Sequence, residues 1–222
     1  MMEIDQKEIE RYLGYRGIHA SDPEITRMIE VCKEELLQEI TPSSVYQSFP
    51  IIWNENGFCS FAGILVDSRS LMSNLVGCTE VVMLAVTLGP GPDRLIRRAE
   101  VRNMLKACIY QAAGAAAVEA LCDEVNEQIR KEAEERGLYA RPRFSPGYGD
   151  FPLEVQRDFE RILMMRKKTG IALTDSLLMT PTKSVTAVIG LSPEKKACHK
   201  AGCEECAMSQ TCEYSRIRST ES

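Results

Sequence analysis

The residues best suited to chemistry lie in the stretch RPRFSPGYGDFPLEVQ, which occupies positions 141–156. Its prolines stiffen the backbone, while Gly147 and Gly149 permit conformations that other residues avoid. Arg143 stands four residues before Gly147, and the phenol of Tyr148 follows directly. A guanidinium can donate two parallel hydrogen bonds to a carboxylate, and a tyrosine offers a flat ring and a hydroxyl. The pattern is also typical of an exposed proline-glycine turn, and that alternative stays open.

Four cysteines near the C-terminal end form a second candidate site. They are Cys198, Cys203, Cys206 and Cys212. The Cys-x-x-Cys spacing of the middle pair can bend around one metal, and four thiolates satisfy either a zinc ion or an iron-sulfur cluster. The surrounding segment has too few apolar side chains to order itself by burial. We therefore predict a metal site of either kind, with reduced thiols or a redox-active pair as the alternative.

The other five cysteines lie in apolar segments, where a free cysteine behaves as a small core residue. They are Cys32, Cys59, Cys78, Cys108 and Cys122. For these residues we predict burial without a chemical role.

Helical spacing of apolar residues predicts the elements that would position these sites. Two early helices are expected in EIERYLGY and SDPEITRMIEVCKEELLQEI, the second capped by Ser21 or Asp22. The segment from RNMLKACIYQ to EERG predicts one long helix that ends near Gly137, and its AAGAAA centre allows close approach of another element. PLEVQRDFERILMMRKKTG predicts a further single helix between Pro152 and Gly170.

Apolar runs of strand length complete the expected core. Short runs between Val45 and Val66, interrupted at NENG, predict a hairpin. EVVMLAVTLG and KSVTAVIGLS predict buried strands. The chain therefore reads as one mixed α and β domain followed by the cysteine-rich tail.

Composition narrows the class of protein. The chain has 222 residues, 44% of them hydrophobic, and a formal net charge of -5. This charge argues against a nucleic-acid partner, and the basic cluster RLIRR is more typical of a solvated helix face. No apolar run reaches the roughly 18 residues that a membrane helix needs, and the first twenty residues are too charged for a signal peptide. We expect a cytoplasmic protein without a membrane partner.

Three segments resemble the activation domain of cobalamin-dependent methionine synthase, and they occur in the same order as in that family. They are VEALCDEVNEQIRK, RFSPGY and KKTGIALTDSLLMTPTKSV. The resemblance is most specific from Val118 to Ser192 and does not extend to the tail. It implies an α+β fold: a single C-shaped domain over residues 1–196, with a twisted antiparallel sheet and flanking helices, followed by the tail at 197–222.

The resemblance also implies a function. In the family, this domain binds S-adenosylmethionine and presents its methyl group to a cobalamin on another domain. One electron from a flavodoxin-type or ferredoxin-type donor and the methyl cation together return inactive Co(II) cobalamin to methylcobalamin. The expected protein is a stand-alone reactivation subunit of methionine synthase, or of a related corrinoid protein, that is inactive alone. The alternative is a metal-containing redox activator of corrinoid proteins that does not use S-adenosylmethionine.

The family motif Arg-x-x-x-Gly-Tyr matches Arg143, Gly147 and Tyr148, with Pro146 inside it. The resemblance implies that the arginine binds the methionyl carboxylate, that proline and glycine bring the backbone close to the ligand, and that the tyrosine meets the sugar or adenine. Glu119 matches an acidic ligand contact on the family's helix, facing the ammonium or the sulfonium. A helix-surface glutamate paired with a neighbour one turn away is the alternative.

Other acidic contacts of the family have no clear match in this chain. Glu135, Asp22 and Asp67 are possible substitutes. For Asp150 we predict a cap on the following helix, with a position in the ligand site as the alternative. The only histidines, at positions 19 and 199, lack the Asp-x-His-x-x-Gly context of a cobalt ligand, so the cobalamin is expected on the partner. No Gly-x-Gly-x-x-Gly follows a strand, which argues against the common methyltransferase fold.

Overall fold

The computed structural model describes residues 4–15 and 22–195. The helices are α1 (Gln6–Tyr12), α2 (Pro23–Glu39), α3 (Arg69–Leu75), α4 (Gly91–Arg102), α5 (Met104–Glu134), α6 (Gln156–Leu163) and α7 (Met165–Lys168). The strands are β1 (Ser43–Pro50), β2 (Ile52–Trp53), β3 (Cys59–Phe61), β4 (Ile64–Leu65), β5 (Glu80–Thr87), β6 (Tyr139–Ala140), β7 (Ala172–Leu173), β8 (Met179–Thr180) and β9 (Ser184–Ser192).

Side-chain caps fix where the two long helices begin. The Asp22 carboxylate accepts a hydrogen bond from the backbone N–H of Glu24 at the start of α2. The Asn103 side chain does the same for Lys106, so that α5 starts as a new helix directly after α4. At the other end of α5, Gly137 adopts a left-handed conformation with φ of 73°. The predictions for α2 and α5 are confirmed.

The main sheet has the strand order β1-β5-β9-β6, and all neighbouring strands are antiparallel. Strand β5 pairs along its whole length with both β1 and β9, which makes it the centre of the sheet. Strands β2, β3 and β4 form a separate antiparallel sheet, with the NENG turn between β2 and β3. The hairpin and both buried strands are therefore confirmed.

Alternate residues of β5 point to opposite faces of the main sheet, and both faces are covered. Val82, Leu84 and Val86 belong to a core cluster with α1, α2, α4 and α5. Val81, Met83 and Ala85 belong to a second cluster with α3, α6, β3 and β4. The sheet is thus the middle layer of the fold, and α5 packs on one of its faces.

The prediction of a single helix between Pro152 and Gly170 is wrong in detail. A short 3-10 turn, Leu153–Val155, leads into α6, and Met164 then breaks the helix with φ of 51°. Leu163 and Met165 are both fully buried in the second core cluster. In a continuous helix these two side chains would point to nearly opposite sides, so the break lets both of them enter the same core.

The expectations for cysteines and charges are mostly confirmed. Cys32, Cys59, Cys78 and Cys122 are buried, but Cys108 is exposed and lines a groove beside Tyr12 and Leu13, so the prediction of burial is wrong for this residue. The RLIRR arginines lie on the exposed face of α4, where two of them pair with Glu39. Within residues 4–15 and 22–195, no helix is long and apolar enough to cross a membrane.

Candidate functional site

A bulge at the edge of the main sheet places Arg143. Beyond β6, the N–H of Arg141 donates to the carbonyl of Gly190 over 2.8 Å. Phe144 then exchanges two hydrogen bonds with Val188, of 2.8 and 2.9 Å. The edge segment uses one residue more than β9 over this interval, and Pro142 has no N–H to pair. Such a bulge redirects side chains, so Arg143 can turn toward α5 rather than follow the pleat.

Pro146 and Gly147 form the centre of a tight turn. The N–H of Tyr148 donates to the carbonyl of Ser145 over 3.1 Å, and Gly147 has φ of 86°. Proline followed by a glycine with positive φ is typical of a type II turn. A β-carbon on Gly147 would lie 3.2 Å from Cδ1 of Leu153, so the turn has little room for a side chain at this position.

The ring of Tyr148 lies at the surface and contacts a deeper aromatic residue. It is 60% exposed, and its edge packs on Phe144 with 5.4 Å between the ring centroids and an angle of 80° between the planes. Phe144 in turn contacts the buried Phe151, with the centroids 6.2 Å apart. This series of rings holds the tyrosine in place while leaving much of it available to a ligand.

Two side chains attach this turn to α3. The Asp150 carboxylate accepts hydrogen bonds from the Ser68 hydroxyl at 2.6 Å, the Arg69 N–H at 2.7 Å and the Ser70 N–H at 3.1 Å. The Ser68 hydroxyl, together with these amides, lowers the pKa of Asp150. The side-chain amide of Asn74 donates to the carbonyl of Pro142 over 3.4 Å. Asp150 therefore caps a helix, but the helix is α3 and not the following one, which corrects the prediction.

The main electrostatic feature is an arginine held between two carboxylates. Nη2 of Arg143 lies 2.6 Å from Oε2 of Glu119, and Nη1 lies 2.5 Å from Oδ1 of Asp123. Burial works against the charged guanidinium, but the hydrogen bond that it donates to Asp123 and the charge of Glu119 outweigh this effect, so the pKa of Arg143 is raised. The guanidinium is therefore fully charged, and the three groups together carry a net charge of -1.

The chemistry available at this site is binding rather than nucleophilic attack. Cys122 lies on α5 between the two acidic residues, and burial raises the pKa of its thiol to about 12. A thiol with such a pKa stays protonated at neutral pH and is a poor nucleophile. The arginine can bind a carboxylate, and the acidic groups can bind a cation. A zwitterionic ligand with an additional positive charge suits this arrangement.

The AAGAAA segment of α5 does allow a close approach, as predicted. A β-carbon on Gly114 would lie 2.9 Å from Cε of Lys183, whose ammonium donates to the side-chain oxygen of Gln111 over 2.7 Å. Burial lowers the pKa of Lys183, although the charge of Asp93 acts in the opposite direction. The glycine thus makes room for a lysine side chain that ties the start of β9 to α5.

The structure brings Arg143 and Glu119 together, and Pro146, Gly147 and Tyr148 lie on the adjoining turn. Sequence reasoning missed Asp123, although its position one helical turn after Glu119 could have indicated it. Three proposed acidic substitutes lie outside this contact: Asp22 caps α2, Asp67 precedes α3 and Glu135 ends α5.

The four cysteines of the predicted metal site, Cys198, Cys203, Cys206 and Cys212, lie outside the described residues. Among residues 4–15 and 22–195, no group of three or more His, Cys, Asp or Glu side chains could hold a metal ion. The metal site therefore stays a prediction.

Comparison with solved structures places the fold. The chain is similar to a structure described as the MetH reactivation domain bound to AdoHcy, with a TM-score of 0.64 and 17% sequence identity. The similarity covers 87% of this chain and 75% of that chain. At this identity the likeness concerns the fold, and it confirms the expected α+β class.

Comparison of sequences identifies the family. No curated protein is a significant match. A family model described as the activation domain of vitamin B12 dependent methionine synthase matches residues 72–218. The match includes the four-cysteine segment, where the resemblance was expected to be absent. Because it covers more than half of the chain, the chain belongs to the family of vitamin B12 dependent methionine synthase activation domains.

Proposed function

We propose that this chain is a stand-alone reactivation subunit that binds S-adenosylmethionine for a cobalamin protein. The observation that carries the proposal is the contact of Arg143 with Glu119 and Asp123 beside the turn that presents Tyr148. When bound, S-adenosylmethionine supplies the methyl cation that, with one electron from a donor, converts the partner's inactive Co(II) cobalamin to methylcobalamin. The described residues bind and orient this donor.

Each group of the ligand has a counterpart among these residues. The Arg143 guanidinium binds the methionyl carboxylate with two parallel hydrogen bonds. Glu119 meets the ammonium or the sulfonium. Tyr148 covers the sugar or the adenine with its exposed ring, and the turn at Pro146 and Gly147 brings the backbone close to the ligand.

The overall charges also match. At neutral pH the ligand carries an ammonium, a sulfonium and a carboxylate, which give a net charge of +1. Arg143, Glu119 and Asp123 carry a net charge of -1. Burying the ligand's positive charge would be costly without such compensation. The solved relative bound to AdoHcy supports the proposal, because AdoHcy is the product that remains when S-adenosylmethionine has lost its methyl group.

The proposed partner follows from the family to which the chain belongs. The cobalamin belongs to a methionine synthase or a related corrinoid protein, and the electron comes from a flavodoxin-type or ferredoxin-type donor. This chain contributes the bound methyl donor and a surface on which the cobalamin-bearing domain can dock. Its isolated form is inactive because the metal that accepts the methyl group is on the partner.

Two measurements test the proposal together. Isothermal titration calorimetry of the purified chain with S-adenosylmethionine should show saturable binding at one site. An inactive cobalamin-dependent methionine synthase that lacks its own activation domain should regain activity when this chain, S-adenosylmethionine and a reductant are all added. Recovery that is equally fast without S-adenosylmethionine would contradict the proposal.

A further inference from the structure

Asp123 pairs with Nη1 of Arg143, but the proposed function assigns no group of the ligand to it. Its carboxylate lies 2.5 Å from Nη1 of the arginine, on the same face of α5 as Glu119. The Asp123 side chain is 62% exposed, the Glu119 side chain 45% and the Arg143 side chain 25%. Asp123 is thus the most solvated member of the group, and water can replace its contact with the arginine at the lowest cost.

Ligand binding favours the movement of one of the two carboxylates. If the ligand's carboxylate joined Arg143 while both acidic contacts remained, three negative groups would surround one guanidinium. Like charges at such short distances repel each other strongly in a partly buried site. The two protein carboxylates also already take one N–H of Nη1 and one N–H of Nη2, so a third carboxylate would have to share the same guanidinium with both of them. The repulsion therefore favours the departure of one protein carboxylate as the ligand enters.

The exposures and the ligand's own charges indicate which one leaves. Glu119 is less exposed, and the ligand's ammonium gives it a new partner. Asp123 is more exposed and can turn into water, where its charge is well solvated. The exchange then preserves the ion pairing of Arg143, because one carboxylate replaces another.

We propose that the Asp123 carboxylate occupies, in the free protein, the position on Arg143 that the ligand's carboxylate takes, and that the ligand displaces it. This inference rests on the proposed function, since it presupposes that Arg143 binds a carboxylate-bearing ligand. Asp123 neutralises the guanidinium in the free protein and competes with every ligand that binds through a carboxylate. It does not compete with a ligand that lacks this group, because such a ligand leaves the ion pair intact.

The variant Asp123→Asn tests this competition by calorimetry. We expect it to bind S-adenosylmethionine and S-adenosylhomocysteine more tightly by about two- to fivefold, the range of an exposed ion pair. Both ligands carry the carboxylate, so both should gain, and the gain should be smaller for the cationic S-adenosylmethionine because the variant also removes one negative charge from the site. The affinity for 5′-methylthioadenosine, which has no carboxylate, should not change. The gain should shrink at high salt, since screening weakens the contact that is removed.

A matched control is Glu127→Gln, which removes one negative charge from the same helix about one turn further on. Glu127 pairs with Arg130 rather than Arg143, so its loss should leave all three affinities unchanged. If Asp123→Asn proves poorly folded by circular dichroism, Asp123→Ser removes the same charge with a smaller side chain.

The outcomes separate this inference from the proposed function. The proposed displacement of Asp123 would be overturned if S-adenosylmethionine binds the wild type tightly but binds both Asp123 variants with unchanged or weaker affinity. The proposed function would then still stand. A gain that also appears for 5′-methylthioadenosine would overturn the proposed displacement as well, because general charge removal would then explain the effect. If the wild type fails to bind S-adenosylmethionine, both the function and the inference fall.

Discussion

Arg143 and Glu119 are 24 positions apart in the sequence, yet Nη2 of the arginine lies 2.6 Å from Oε2 of the glutamate. The glutamate is on α5, which packs on one face of the main sheet. The arginine is on a bulged segment that pairs with β9. The contact therefore depends on how the helix and the sheet edge pack together, and the candidate site is a product of the core rather than of one loop.

Replacing Gly147 by alanine should weaken ligand binding. The residue has φ of 86°, and the new methyl group would lie 3.2 Å from Leu153. Strain at positive φ costs about 1–2 kcal/mol, so the free energy of unfolding should fall by about that amount. The ligand affinity should fall too, because the turn that presents Tyr148 must shift. Urea unfolding and calorimetry measure the two effects.

The matched control for this change is Gly137→Ala, at the end of α5. Gly137 has φ of 73° and open space around its α-carbon. This variant should lose a similar amount of stability without losing ligand affinity. Equal affinity losses in both variants would mean that general destabilisation, and not the turn, controls binding.

Replacing Asp150 by asparagine should loosen the attachment of the turn to α3. The change removes a charged acceptor from the Ser68 hydroxyl and from two backbone N–H groups. The melting temperature should fall, as differential scanning fluorimetry would show. Asp158→Asn is the control, because Asp158 pairs with Arg161 of its own helix, at 2.9 Å. A melting temperature as high as that of the control would contradict a role for this cap.

The effect of Asp150 should depend on pH in a defined direction. Its pKa in the folded protein is lowered, chiefly by the Ser68 hydroxyl, below the value of about 3.9 expected in the unfolded chain. The carboxylate therefore stabilises the fold above about pH 4, and this contribution is lost as the pH falls through the folded-state pKa. The difference in melting temperature between wild type and Asp150→Asn should be constant near neutral pH and shrink in acid.

Most of the fold could be predicted from the sequence because the strong patterns are local. The buried strands β5 and β9 and the long helix α5 follow from apolar runs and helix-forming residues with recognisable ends. The break at Met164 could not be predicted, since neither glycine nor proline marks it. It arises because Leu163 and Met165 must enter the same core.

Only the site residues that lie in segments matching the family could be predicted from the sequence. Arg143, Gly147 and Tyr148 stand in one short segment, and the matched helix indicated Glu119. Asp123 looks like any exposed helix residue until the edge of the sheet brings Arg143 back to α5. Asp150 presents a related difficulty, because its partners on α3 are about 80 positions earlier in the chain. Contacts at such separations depend on tertiary packing.

The isolated chain should not methylate homocysteine. Incubation with methyltetrahydrofolate and homocysteine should give no methionine, because the proposed function places the cobalamin on a partner. Adding an inactivated cobalamin protein, S-adenosylmethionine and a reductant should produce recovery of that protein's activity. Methionine formation by the chain alone, measured by mass spectrometry, would contradict the proposal that a partner protein carries the cobalamin.

The cysteine-rich tail should bind a metal without supporting the core. Strand β9 ends at Ser192, so a chain shortened after Glu194 keeps every described helix and strand. We expect the full chain to hold about one zinc ion or iron-sulfur cluster, and the shortened chain to lack it and to bind S-adenosylmethionine equally well. Elemental analysis and calorimetry measure these properties. Unfolding of the shortened chain would place the domain boundary beyond residue 196.

Removal of the Arg143 guanidinium tests the central claim, which is that this site binds the carboxylate of S-adenosylmethionine. A matched control is Arg130→Ala on α5, because Arg130 also joins two carboxylates, but these belong to Glu127 and Glu134 of its own helix. Arg143→Ala removes a charge-assisted contact and should weaken binding by about 1.5–3 kcal/mol.

The decisive measurement is a calorimetric titration of S-adenosylmethionine into the wild type and both arginine variants, each first shown to be folded by circular dichroism. We predict saturable binding to the wild type, the same affinity for Arg130→Ala, and an affinity about 10- to 150-fold lower for Arg143→Ala, the equivalent of that loss in free energy. A folded Arg143→Ala variant that binds as tightly as the wild type would contradict the account.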